Sequence, residues 1–117
     1  MKTVSMFSIV TLVMALSACA PSHVREQKVN NANLLTLDIG MTKQEVISSM
    51  GSPDMNEAYE SINGVPTVIL FYYTQRKRGD GNKTKDEMTP VVFEYGRLVG
   101  WGDEFYESKR IIEIRNR

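Results

Sequence analysis

Histidine and cysteine, the side chains that most often serve as bases, nucleophiles and soft metal ligands, occur once each in the 117 residues, at His23 and Cys19. With no second histidine, neither a serine/histidine triad nor a thiol/histidine pair can assemble in the body of the chain. A zinc site lacks ligands for the same reason. Asp80, Asn82, Thr84 and Asp86 alternate oxygen-bearing side chains as a calcium loop does. The sixth position of that frame is Lys85, where glycine is needed, and the twelfth is Val91, where glutamate is needed. Lys83 and Lys85 would also repel a cation, so neither a metal nor a cofactor is expected. Paired carboxylates are the remaining route to catalysis, and Glu45, Asp86 and Glu94 are the residues on which it would rest. Nothing in the sequence places two of them in one cleft, and a non-enzymatic protein is expected. Arg78-Gly79-Asp80 and Asn82-Lys83-Thr84 spell adhesion and N-glycosylation tripeptides and are read as chance matches.

Cys19 has a chemistry of its own. A lone positive charge at Lys2 precedes an apolar run from Met6 to Leu16, and small residues lead from there to the cysteine. This is the layout of a secretory signal. The run is well short of the roughly 20 residues that a membrane-spanning helix needs. Leu16-Ser17-Ala18-Cys19 matches a lipobox, in which small side chains admit the peptidase and only a thiol can form the thioether to a diacylglyceryl group. Residues 1–18 are therefore expected to be removed, and Cys19 to carry lipid, including palmitate. Two or three acyl chains, at about 0.8 kcal/mol per buried methylene, hold a protein to a bilayer far better than one. Without Lys2 the balance is 13 basic to 14 acidic side chains, which argues against nucleic acid as a partner.

The elements that follow can be read from pattern. Residues 19–33 contain the lipid site and a polar stretch without apolar period, expected to be a flexible tether; residues 34–117 are expected to be one small domain. Asn33 to Leu37 reads as a short helix. Thr42-Lys43-Gln44-Glu45 has capping-box spacing, with Val46, Ile47 and Met50 on one face of a second helix. Gly51 is placed to end that helix in the left-handed conformation, and Pro53 prevents its resumption. Met55 to Ile62 reads as a strand, Asn63-Gly64 as a hairpin turn, and Val65 to Thr74 as a central strand. After the charged loop 75–89, Pro90 to Glu94 and Arg97 to Trp101 form a hairpin around Tyr95-Gly96. A two-residue turn there sets Phe93 opposite Leu98 and Glu94 opposite Arg97 as an ion pair; a bulge at Gly96 would shift the register.

Leu37-Asp38-Ile39-Gly40-Met41-Thr42-Lys43-Gln44-Glu45-Val46 and Met50-Gly51-Ser52-Pro53 resemble the opening signature of the SmpA/OmlA (BamE-like) outer-membrane lipoproteins. The stretches around Phe71 to Thr74 and Gly100-Trp101-Gly102 are more similar to a gammaproteobacterial branch carrying the same domain than to BamE itself. The resemblance implies an α+β two-layer sandwich, with two short N-terminal helices packed on a three-stranded antiparallel sheet. It also implies an outer-membrane address, and Ala20 after the cysteine, where aspartate would signal retention, points the same way.

The functional expectation is a lipid-anchored, non-enzymatic protein on the periplasmic face of the outer membrane, binding an envelope protein partner or supporting envelope assembly. Anchoring confines its search to a surface and raises effective concentration. Candidate contact residues are Arg76, Lys77, Arg78, Asp80 and Asp86, because function favours loops on rigid scaffolds, together with Phe105 and Tyr106 as aromatic anchors. Tyr72 and Trp101 read as core. Ile111, Ile112 and Ile114 either extend the sheet or dock on a partner. The alternative is a periplasmic binding or inhibitory module acting on an envelope enzyme or cell-wall ligand, since the unit also resembles the repeats of β-lactamase-inhibitory proteins.

Overall fold

The computed structural model describes residues 22–60 and 64–115, with side chains through Lys109. The lipobox, Cys19 and most of the first hairpin turn lie outside the described residues. The elements are α1 (Ser22–Leu34), α2 (Lys43–Met50), β1 (Met55–Glu60), β2 (Pro66–Tyr73), β3 (Met88–Glu94), β4 (Arg97–Trp101) and α3 (Asp103–Arg115), with a single 3₁₀ turn at Lys85–Glu87 before β3. The strands form one antiparallel sheet in the order β1-β2-β3-β4.

Two expectations about architecture are corrected here. The sheet has four strands, not three, because both hairpins contribute both of their arms. Among the described residues three α-helices, not two, accompany it, and they cover both faces. On one face Val46 and Met50 of α2 pack with Leu37, Leu70, Tyr72, Val91, Phe93 and Leu98. On the other, Phe105 and Tyr106 of α3 pack on Ile69, Phe71, Met88 and Val92. Alternate residues of β2 thus serve two cores, which is why that strand is apolar on both alternations. Each fully buried side chain of this kind is worth about 1.5–3 kcal/mol relative to exposure.

The tether and the first helix also differ from expectation. Ser22–Leu34 is helical, and the chain turns out of helix just where Asn33 to Leu37 was expected to enter one. This helix has no apolar stripe because it is held by polar side chains: Asn30 Nδ2 donates to the Tyr73 carbonyl at 2.8 Å and Asn31 Nδ2 to the Thr74 carbonyl at 2.9 Å. Asn30 is buried to 6 % exposure. These amides satisfy carbonyls beyond the ladder at the end of β2, which would otherwise lack partners.

The Gly40-Met41-Thr42 motif sets α2 against the sheet. Gly40 N donates to the Leu98 carbonyl at 2.8 Å and Leu98 N to the Met41 carbonyl at 2.7 Å, and Thr42 bridges Arg97. With φ at +93°, Gly40 takes a turn that a side chain would strain. Thr42 Oγ1 then accepts the Glu45 amide at 3.1 Å, the expected N-cap. Gly51 ends α2 at positive φ as expected, but its ψ of −169° is extended rather than left-handed helical.

In the second hairpin Tyr95 and Gly96 both have positive φ, 51° and 74°, the signature of a two-residue type I′ turn. Phe93 faces Leu98 and Glu94 faces Arg97, and the bulge falls at Val92/Phe93 instead of Gly96. The pairing of charges is different from the register's suggestion. Glu94 takes Lys109 of α3 at 2.8 Å, and Arg97 Nη1 donates to the Gly40 carbonyl. Among the described residues no helix is long and apolar enough to cross a membrane.

Candidate functional site

The loop between β2 and β3 is charged along its length, yet it is organised by one fully buried carboxylate. Glu87, at 0 % exposure, accepts the Lys77 amide on Oε2 at 2.8 Å, while its Oε1 accepts the Thr84 hydroxyl at 2.9 Å and the Thr84 amide at 3.3 Å. Its own carbonyl accepts the amides of Thr74 and Gln75. Hydrogen bonds from the Lys77 amide foremost, then from Thr84 and the Arg78 amide, outweigh burial and hold the Glu87 carboxyl below its ordinary range. A loop that the charge pattern presents as a solvated connection is therefore a built structure.

A second clip ties the loop to the rest of the fold. Lys83 Nζ lies 2.5 Å from Glu26 Oε2 of α1 and 3.0 Å from Asp54 Oδ1, just before β1, and 5.3 Å from the Tyr73 ring centroid. The other Asp54 oxygen accepts the Tyr73 amide at 2.9 Å. Burial works against the Asp54 carboxylate, but the Tyr73 amide and the Lys83 ammonium outweigh it and lower the carboxyl. Lys83 is raised despite partial burial, through Glu26 and Asp54. Beside them burial, then the Asp54 charge, pushes the Tyr72 phenol up to about 12, and its hydroxyl donates to the Gly51 carbonyl at 2.9 Å.

Two openings flank the organised loop. Between the loop and α3 lies a cleft of about 370 Å³ whose floor is Phe71, Met88, Pro90 and Tyr106 and whose rim includes Lys77, Lys85, Asp86, Asp103 and Glu107. Lys85 Nζ sits 4.8 Å from the Phe71 centroid and 5.6 Å from that of Tyr106 while bonded to Glu57, so its ammonium and an apolar surface are presented together. Between the loop and the first turn of α1 lies a smaller cavity of about 190 Å³, lined by His23, Tyr73, Arg76, Arg78, Gly81 and Asn82.

Of the contact residues expected from sequence, Arg76 and Arg78 line the cavity toward α1, Lys77 and Asp86 rim the α3 cleft, and Asp80 lines neither. Arg78 meets Asp86 at 3.8 Å, both exposed, Asp86 shares with Glu87 the one hydroxyl hydrogen of Thr84, and Asp80 accepts the Asn82 amide. Phe105 and Tyr106 do not stand out as free anchors. Both are half-buried on the sheet, Tyr106 edge-on to Phe71 at 6.1 Å between centroids, and Phe105 so close over Gly100 that a Cβ there would lie 2.7 Å from its ring. The backbone of Ile111, Ile112 and Ile114 is helical within α3 and adds no strand. Glu87, Asp54, Lys83 and Glu26 are the organising residues that pattern reading missed. Only Glu87 had a local signal, the Thr84-x-x-Glu87 spacing; Glu26 and Lys83 are brought together from distant parts of the chain.

No three His, Cys, Asp or Glu side chains among the described residues could hold a metal ion, and the Glu26 and Asp54 carboxylates are spanned by the Lys83 ammonium. The profile of a family described as a protein of unknown function, DUF3192, matches residues 9–108. The chain belongs to the DUF3192 family. No curated protein and no solved structure matches it. The DUF3192 match runs from before Cys19 into α3, so it spans α1, the loop and both openings.

Proposed function

We propose that this DUF3192 protein is a lipid-anchored, non-enzymatic binding protein on the periplasmic face of the outer membrane, and that it holds a segment of an envelope protein partner in the cleft between the 74–87 loop and α3. The observation that carries the reading is the cleft itself: an apolar floor of Phe71, Met88, Pro90 and Tyr106 beneath a rim bearing charges of both signs. Such a surface suits a peptide segment whose one apolar residue meets the half-buried Tyr106 and whose flanking charges meet the rim, since Phe71, Met88 and Pro90 beneath are almost fully buried. Glu87 keeps the loop wall in place without a partner, which limits the entropy lost on binding. The Leu16-Ser17-Ala18-Cys19 lipobox supports the anchor, Ala20 supports the outer membrane, and the likeness of Leu37 to Pro53 to the SmpA/OmlA opening supports the envelope. An inhibitory module of the β-lactamase-inhibitor kind would call for an aromatic sheet face left open, whereas Phe71, Tyr72 and Phe93 are each at most 1 % exposed.

The test is site-specific photocrosslinking in living cells. A photoreactive residue at Asp86 or Asp103, on the cleft rim, is expected to capture one discrete envelope protein, while the same residue at the exposed Leu35, across the fold, captures none. Equal capture from both sites, or capture from neither, would remove the cleft from consideration.

A further inference from the structure

The cavity between α1 and the loop differs in kind from the cleft. Its lining contains two arginines, a histidine, an asparagine and a tyrosine, and no carboxylate. The acids nearby are already engaged: Glu26 and Asp54 by Lys83, Asp80 by the Asn82 amide, Glu87 by backbone amides and Thr84, and Asp86 by Thr84 and, at 3.8 Å, by Arg78. Among the described residues Arg76 meets no carboxylate at ion-pair distance. Its guanidinium instead lies over Gly79, where a Cβ would come within 2.9 Å of Nη2. The volume, about 190 Å³, is several times the roughly 30 Å³ a water occupies in the liquid. A tetrahedral oxyanion and its first waters fit.

Covalent geometry places this cavity. His23 sits in the first turn of α1, and three peptide links separate Ser22 from Cys19; fully extended, they span at most about 11 Å. If Cys19 carries lipid, as the reading above holds, the cavity stands within reach of the headgroup layer, which is on the order of 5–8 Å deep on each side of the hydrocarbon. A long flexible tether would have left the orientation open; a helix starting so close to the anchor does not.

We infer that the cavity lined by His23, Arg76, Arg78 and Asn82 binds the phosphate of an anionic phospholipid headgroup and so seats the domain on the membrane that its lipid is anchored in. Arg76 and Arg78 supply planar, charge-assisted donors suited to phosphate oxygens, and the Asn82 side-chain amide can donate a neutral one. The inference rests on the anchor reading but not on the protein partner.

The experiment uses the processed protein purified from membranes in neutral maltoside micelles, isotopically labelled for NMR. Short-chain phosphatidylglycerol is titrated against short-chain phosphatidylcholine and inorganic phosphate, following the Gly81 and Asn82 amides and the arginine Nε–Hε groups. Saturable shifts with phosphatidylglycerol are expected, with binding weakened by about tenfold or more in the R76Q/R78Q double variant. Gly79→Val, which displaces the Arg76 guanidinium without removing its charge, is expected to weaken binding in the same direction. Both positions are exposed, and unchanged amide shifts across the sheet would show that the fold persists. Shifts absent with every probe, equal with phosphatidylcholine, equal with inorganic phosphate, or surviving R76Q/R78Q would overturn the inference. The mass of the amino-terminal peptide tests the anchor separately: an unmodified Cys19 defeats that reading whatever the titration shows.

Discussion

Glu87 shows how much one side chain can organise when its partners are backbone amides. A carboxylate at 0 % exposure is costly unless its oxygens are filled, and here they are filled by the very loop segments that have to be brought together. Glu87→Gln keeps the shape but halves the acceptor capacity and removes the charge that strengthens those bonds. The loop is then expected to open while the sheet stays folded. Limited trypsin digestion at Arg76, Lys77 and Arg78 would report it, with cleavage markedly faster than in the native protein and far-ultraviolet circular dichroism unchanged. Cleavage at the native rate would mean that the loop is held by something other than Glu87.

At the scale of elements, the seat of α3 depends on a missing side chain. Gly100 pairs with Val92 in the sheet, and Phe105 fills the space above it. A methyl group at Gly100 would meet the ring at 2.7 Å, too close for any carbon contact, and the ring belongs to a helix that cannot shift without uncovering Phe71 and Val92. Gly100→Ala is expected to cost about 1–3 kcal/mol, in the range of overpacking, read as a lower urea midpoint. Combining it with Phe105→Leu should recover part of that loss, and a double variant as unstable as the sum of the singles would show that the two residues do not oppose each other. The docking of α1 is of another kind, largely by amide side chains on strand-end carbonyls, with Leu34 at its end against the first core.

For the molecule as a whole, charge sets a window of pH. Asp54, Asp86 and Glu87 have folded values below their ordinary ones, so the unfolded chain binds more protons in acid, and the stability they contribute is present above about pH 4–5 and lost as pH falls further. Lys83 and Lys85 are raised, so their contribution is complete below the ordinary lysine value, about 10.4, and is lost above it. Tyr72, raised to about 12, acts in the same direction at the alkaline end. The urea midpoint is therefore expected to be level from about pH 5 to 9 and to fall toward pH 3. In the Asp54→Asn/Glu87→Gln double variant the acid decline should be shallower, since the groups that would protonate are gone. An equally steep decline in that variant would assign the acid sensitivity elsewhere.

Local pattern was enough for those parts of the chain whose structure is decided by neighbours. The Thr42 cap, the buried face of α2, the central strand and the Tyr95-Gly96 turn with its Phe93/Leu98 register were all legible, because caps, alternation and positive-φ turns act over a few residues. The helical state of Ser22–Leu34 was not, because α1 lacks an apolar period and is secured by Asn30, Asn31 and Glu26 against residues far along the chain. Nor was the second core: the pattern marks Phe105 and Tyr106 as candidate partner contacts or core, and only the approach of α3 to Gly100 and Phe71 packs them on the sheet. The basic triplet 76–78 was visible as charge, but its division between a cleft and a cavity follows from Glu87 folding the loop through bonds that no spacing rule anticipates beyond Thr84. Sequence alone determined the chemistry available, with a single thiol and a single imidazole, because composition cannot be altered by folding. Tertiary structure decided which of those charges remain free to meet a partner, because a charge is available only where the fold has not already given it one.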